Sequence, residues 1–149
     1  MTAREYLCQL WECKAKIDAR LVQIRELRDR AMSIKAVGIR EDIVQTSHDP
    51  SPLENAVIKY LELEIEVAED IIELSTKQAE IISQIHAVSD PRAVTILYKR
   101  YAELKDWGVV AKEIDLGCVY ARHMGLKAEE LFVRANPSLG LKISQKNTE

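Results

Sequence analysis

The sequence predicts an all-α protein: a long antiparallel helical hairpin, coiled-coil-like, followed by a small helix-turn-helix module. Three observations lead there. Residues 3–36 and 53–88 contain neither Gly nor Pro, so two long helices can run uninterrupted. In the second stretch Leu53, Tyr60, Val67, Leu74, Ile81 and Val88 recur every seven residues, with Val57, Ile71 and Ile85 four places after alternate members. That is coiled-coil spacing. The chain is 47% hydrophobic but only 5% aromatic, so its core comes from Leu, Ile, Val and Ala, which suits helices packed side by side. Its 149 residues allow one domain or two small ones.

The first helix is read over residues 3–36. Leu10, Ile17, Ile24 and Ala31 recur every seven residues, with Leu21, Leu27 and Ile34 on the flanking stripe. This segment carries eight basic and five acidic groups, whereas residues 53–90 carry two basic and nine acidic ones. Opposite charge favours pairing the two helices with each other, although each exposed pair contributes only about 0.2–1 kcal/mol. A lone hairpin is expected to leave much of the Leu53–Val88 stripe wet, so a second hairpin covers it and a homodimer follows. The connecting segment 37–52 is longer than a hairpin needs. Its Ser47-His48-Asp49 is not a catalytic triad, because triad members converge from separate elements; a turn and a helix cap account for it.

A boundary is expected near Ser89-Asp90-Pro91, giving residues 1–89 as the hairpin and 90–134 as the module. Asp90 is a candidate N-cap with Pro91 at the first helical position. A helix over about 91–104 places Val94, Leu97, Tyr98 and Tyr101 on one side. Asp106 caps a short second helix through Trp107, Val110, Ala111 and Ile114. Asp115-Leu116-Gly117 turns the chain into a third helix, from about Cys118 to Arg134, with Ala121, Met124, Ala128, Leu131 and Phe132 inward. A short helix, a tight turn and a longer helix form the helix-turn-helix pattern. The tail, residues 135–149, is expected to be disordered.

In such a motif the outward residues near the start of the last helix face the major groove of double-stranded DNA. Here they are Val119, Tyr120, Arg122 and His123, with Lys127 further along. Arg reads guanine bidentately, and Lys contacts phosphate. Arg92, Lys99, Arg100, Lys105 and Lys112 are candidates for further backbone contacts. A net charge of −3 argues against a strongly basic nucleic-acid binder.

The chain resembles small phage and prophage transcriptional regulators of Gram-positive bacteria, a family catalogued as a domain of unknown function. These proteins pair an N-terminal helical region with a helix-turn-helix similar to sigma factor region four. The resemblance runs from about Thr2 to Phe132. It rests on Ala3-Arg4-Glu5-Tyr6-Leu7, on Val44-Gln45-Thr46-Ser47 followed by Ala56-Val57, and on Leu97-Tyr98-Lys99-Arg100-Tyr101. Trp107, Val110, Ala111, Ile114, Ala128 and Phe132 match the motif's apolar positions. The resemblance implies a DNA-binding regulator at a promoter or operator, acting with host RNA polymerase in the bacterial cytoplasm. Departures are Gly117 for a capping Ser, His123 for Arg, Gly125-Leu126 for His-Gly, and Glu129 for an apolar residue. The alternative is a coiled-coil protein–protein adaptor with little or no specific DNA binding.

Other classes find little support. The glycines form no phosphate-cradling loop, and no run is long and apolar enough for a membrane span. Met1 to Trp11 lack the unbroken apolar stretch of a secretory signal. Three cysteines suggest a reducing compartment, with Cys8 and Cys118 read as small buried hydrophobes. No catalytic residue, metal ligand or cofactor is expected.

Overall fold

A computed structural model describes residues 1–40 and 52–143, and over them the protein is all-helical. Helix α1 spans Ala3–Arg40 and α2 spans Pro52–His86. They are followed by α3 (Pro91–Leu97), a π-helical turn (Tyr98–Ala102), α4 (Trp107–Glu113), α5 (Cys118–Ala135) and a closing 3₁₀ turn (Pro137–Leu139). The first two helices form over the Gly- and Pro-poor stretches, and α1 runs four residues beyond its expected end. The segment with Ser47-His48-Asp49 lies outside the described residues, as does the side chain of Ile34.

Packing divides the chain into two units: Met1–Lys14 with Thr76–Glu149, and Ala15–Ser75. Within the second unit α1 and α2 run antiparallel. Arg20 bridges Asp70 at 2.9 Å, and Arg28 bridges Glu64 at 2.6 Å. The basic-on-acidic pairing read from the sequence is therefore present, in side chains exposed enough that each bridge contributes little. Leu27 and Val67 are buried between the helices, with Ile17, Ile24, Tyr60 and Leu74 half-buried. Leu21, expected on the stripe, is 48% exposed instead. The apolar residues left wet on α2 are also not the heptad members expected: Val67, Ile81 and Val88 are buried within the chain, while Ile58, Leu61, Ile65 and Ile72 are exposed.

The first unit crosses the boundary expected at residue 89. Its core joins Ala3, Leu7 and Leu10 of α1 and Ile81, Ile85 and Val88 from the α2 end to Ala93, Leu97, Tyr101, Ala128 and Phe132. Leu7, Ile85, Leu97 and Phe132 are fully buried, each contributing roughly 1.5–3 kcal/mol. Tyr6 donates to Gln84 at 2.8 Å, and Gln78 donates to the Leu10 carbonyl at 3.4 Å. The start of the tail also belongs here, correcting the disorder expected from residue 135. Asn136 is buried and donates to the Gln84 carbonyl. Leu139 and Leu141 pack on the core, and Lys142 pairs with Thr2 in an isolated parallel bridge. The apolar Leu139 and Leu141 outweigh the polar composition around them.

Candidate nucleic-acid interface

The module forms as its local signals dictate. Asp90 caps α3, accepting from the Arg92 amide at 2.9 Å, with Pro91 in the first turn. Asp106 occupies the N-cap position of α4 in extended geometry, but its side chain makes no capping bond. Asp115 takes a left-handed φ of 54° in the turn, and the Leu116 amide returns to the Ala111 carbonyl at 2.9 Å. Gly117 is the N-cap of α5 and offers no side-chain oxygen.

On α5 the buried positions are Ala121, Gly125, Ala128, Glu129 and Phe132. Gly125 answers a packing demand: a Cβ placed there would overlap the ring of Trp107. Between the buried positions, Val119, Tyr120, Arg122, His123 and Lys127 are all exposed, Val119 at 84% and Tyr120 at 53%. Arg122 and Lys127 have no ion-pair partner among the described residues, nor do Arg92 and Lys112. Beside Tyr120, a groove of about 370 Å³ is lined by Arg92, Ile96, Ile114, Leu116 and Met124 among others.

Three of the basic residues proposed for phosphate contact are already engaged. Lys99 bridges Glu113 at 2.6 Å, and Lys105 reaches both Glu113 and Glu103 at 2.7 Å. Hydrogen bonds to those carboxylates push the Lys105 ammonium up, while Lys105 and Lys99 hold Glu113 below the usual carboxylate range. Arg100 lies over the ring of Trp11 at 4.6 Å and that of Trp107 at 5.5 Å, donating to the Lys105 carbonyl at 2.8 Å. This cation–π arrangement ties α4 to α1 through one guanidinium. Arg100 therefore acts as a strut.

Sequence reasoning missed a second polar centre. Glu129 is 1% exposed, and its Oε1 accepts from the Tyr101 hydroxyl at 2.7 Å and from Arg4 Nε at 3.3 Å. Its Oε2 is buried without a hydrogen-bond partner among the described residues. The π-helical turn, closed by the Glu103 amide on the Tyr98 carbonyl, positions Tyr101 for this contact. Burial, then the neighbouring Glu129, pushes the Tyr101 phenol well above its ordinary value. The available signal was a carboxylate at the inward phase of Gly125, Ala128 and Phe132.

Cys8 is half-buried and Cys13 buried, whereas Cys118 is exposed at the start of α5, correcting the expectation for Cys118. No group of three or more metal-ligating side chains gathers among the described residues. No helix among them is long and apolar enough to cross a membrane. Comparison with family models, curated proteins and solved structures returned no match.

Proposed function

We propose that the protein is a DNA-binding transcriptional regulator that presents α5 to the major groove of a promoter or operator. The reading follows from the resemblance to phage regulators with a sigma factor region four-like motif, which also implies host RNA polymerase as a partner. One observation carries it: α4, the turn and α5 leave Arg122, His123 and Lys127 exposed on one helix, with Val119 and Tyr120 beside them near its N-terminal end. In this reading Arg122 reads a base edge, Lys127 holds phosphate, and Val119 and Tyr120 make apolar contacts. Arg92 and Lys112 take the phosphate role that Lys99, Arg100 and Lys105 are too engaged to fill.

The test is a fluorescence anisotropy titration of wild type and Arg122→Ala, Lys127→Ala against a native promoter pool at two salt concentrations. Loss of Arg122 costs about 1–3 kcal/mol at its base pair, and loss of Lys127 lowers the salt slope by about one. Wild-type binding that the double variant retains unchanged places the contact elsewhere. The second reading is a helical adaptor, favoured by the exposed apolar residues of α2; absence of wild-type binding to the whole pool selects it.

A further inference from the structure

Helix α2 has two apolar faces within the unit Ala15–Ser75. One, with Tyr60, Val67 and Leu74, packs toward α1. The other carries Ile58, Leu61 and Ile65 at 50%, 51% and 61% exposure, with Ala68 and the exposed Ile72 continuing the alternate three- and four-residue spacing. A second coiled-coil seam has that spacing. It extends over about 20 Å of helix. Contiguous apolar surface of this kind on a hairpin marks an interaction face.

Charge selects the occupant. Exposed Glu62 and Glu69 border the α2 seam, and residues 52–75 carry seven acidic groups against one basic. The same unit holds the complement. On α1, exposed Leu21 and Met32 share one side of the helix with exposed Arg25 and with Arg28, which also bridges Glu64 of its own chain, and residues 15–40 carry seven basic groups against three acidic. We infer that a second copy of this chain covers the seam, with α2 of each copy on α1 of the other. The two hairpins then close a four-helix bundle in which acidic and basic helices alternate around the ring. Twofold symmetry makes both contacts at once, so the assembly ends at two copies. Packing α2 on α2 would set like charges against each other across the seam.

The inference does not depend on whether α5 binds DNA, and its test contains no nucleic acid. Sedimentation equilibrium on the full chain is run over about 1–100 µM, the range in which a modest helical interface dissociates. The wild type is expected to be dimeric, and Leu61→Glu, Ile65→Glu weakens the dimer by more than about tenfold, because two apolar side chains at the middle of the seam are replaced by carboxylates that must lose their water on association. Both positions are exposed in the single chain, so circular dichroism of the variant stays helical. Neutralising Glu62→Gln, Glu69→Gln gives the sign: α2-on-α1 contact predicts weaker dimerisation, and α2-on-α2 contact predicts tighter. A monomeric wild type, an unaffected Leu61→Glu, Ile65→Glu dimer, or tightening by the glutamine variant overturns the inference.

Discussion

Gly125→Ala sets two effects of known size against each other. Helix propensity alone favours Ala over an interior Gly by about 1 kcal/mol, so a reader of the sequence expects stabilisation. The structure predicts the reverse, because the new Cβ falls on the Trp107 ring. That ring has little freedom to retreat: Arg100 lies 5.5 Å from it, and Val110 and Ala111 fix α4 in the core at 0% and 3% exposure. Overpacking costs about 1–3 kcal/mol, and a rigid ring as the obstacle points to the upper end. The net expectation is a loss of about 2 kcal/mol, equivalent to a urea midpoint lowered by about 1 M at a typical slope. Urea titrations followed by circular dichroism and tryptophan fluorescence measure it. Adding Trp107→Ala removes the obstacle, so the double-mutant cycle should return a coupling of about 1–3 kcal/mol. A midpoint that rises in the single variant refutes the packing argument and leaves propensity in charge.

Tyr101→Phe keeps the ring but strips a hydrogen bond from a buried carboxylate. A bond to a charged group contributes about 1.5–3 kcal/mol, so the melting temperature falls by several degrees in calorimetry. Tyr101 has a folded pKa raised above its unfolded value. Its contribution is fully present below about pH 10 and is lost as pH rises toward the folded value. Ultraviolet titration of wild type and Tyr101→Phe should therefore coincide up to about pH 11 while both stay folded. Glu113 behaves oppositely: its lowered pKa gives stability present above the ordinary carboxylate value and lost as pH falls through the folded one. Lys105→Ala moves its carbon-13 carboxyl titration back upward. Gly117→Ser supplies the missing N-cap oxygen at a position open on all sides, and a gain of about a few tenths of a kcal/mol in urea denaturation checks it. Residues 90–149 made alone lose Ala3, Leu7, Leu10, Ile81 and Ile85 from their core, and a broad, non-cooperative melt is expected.

Local chemistry made the helices legible. Asp90-Pro91, Asp106 and Gly117 each mark a helix start, and the structure begins α3, α4 and α5 directly after Asp90, Asp106 and Gly117. Each signal acts within one turn of chain, so the sequence displays it. The outward phase of Arg122, His123 and Lys127 was legible for the same reason, through the spacing of Ala121 and Ala128. What escaped were pairings between distant residues. Arg4 and Glu129 are 125 positions apart, and nothing local announces their contact. Lys99, Arg100 and Lys105 looked like free cations because Glu113 and Trp11 come to them only in three dimensions. The closing turn was read from its polar residues, while Leu139 and Leu141 decided its fate.

The bridge between Thr2 and Lys142 has a consequence for vectorial synthesis. The core that holds α3, α4 and α5 is built from both Met1–Lys14 and the stretch beginning at Thr76. Ala3, Leu7 and Leu10 are made before Ile81, Ile85 and the rest of their partners, and the last of these, Ala128, Phe132 and Lys142, arrive only at the end of the chain's final helix and turn. At about 5–20 residues per second, the interval from Thr76 to Lys142 lasts roughly 3–13 seconds. The hairpin Ala15–Ser75 is wholly made before that interval begins. The nascent chain thus carries an incompletely covered apolar stripe on the Ala3–Leu10 turns of α1 until Phe132 is made, an exposure that the hairpin never shares.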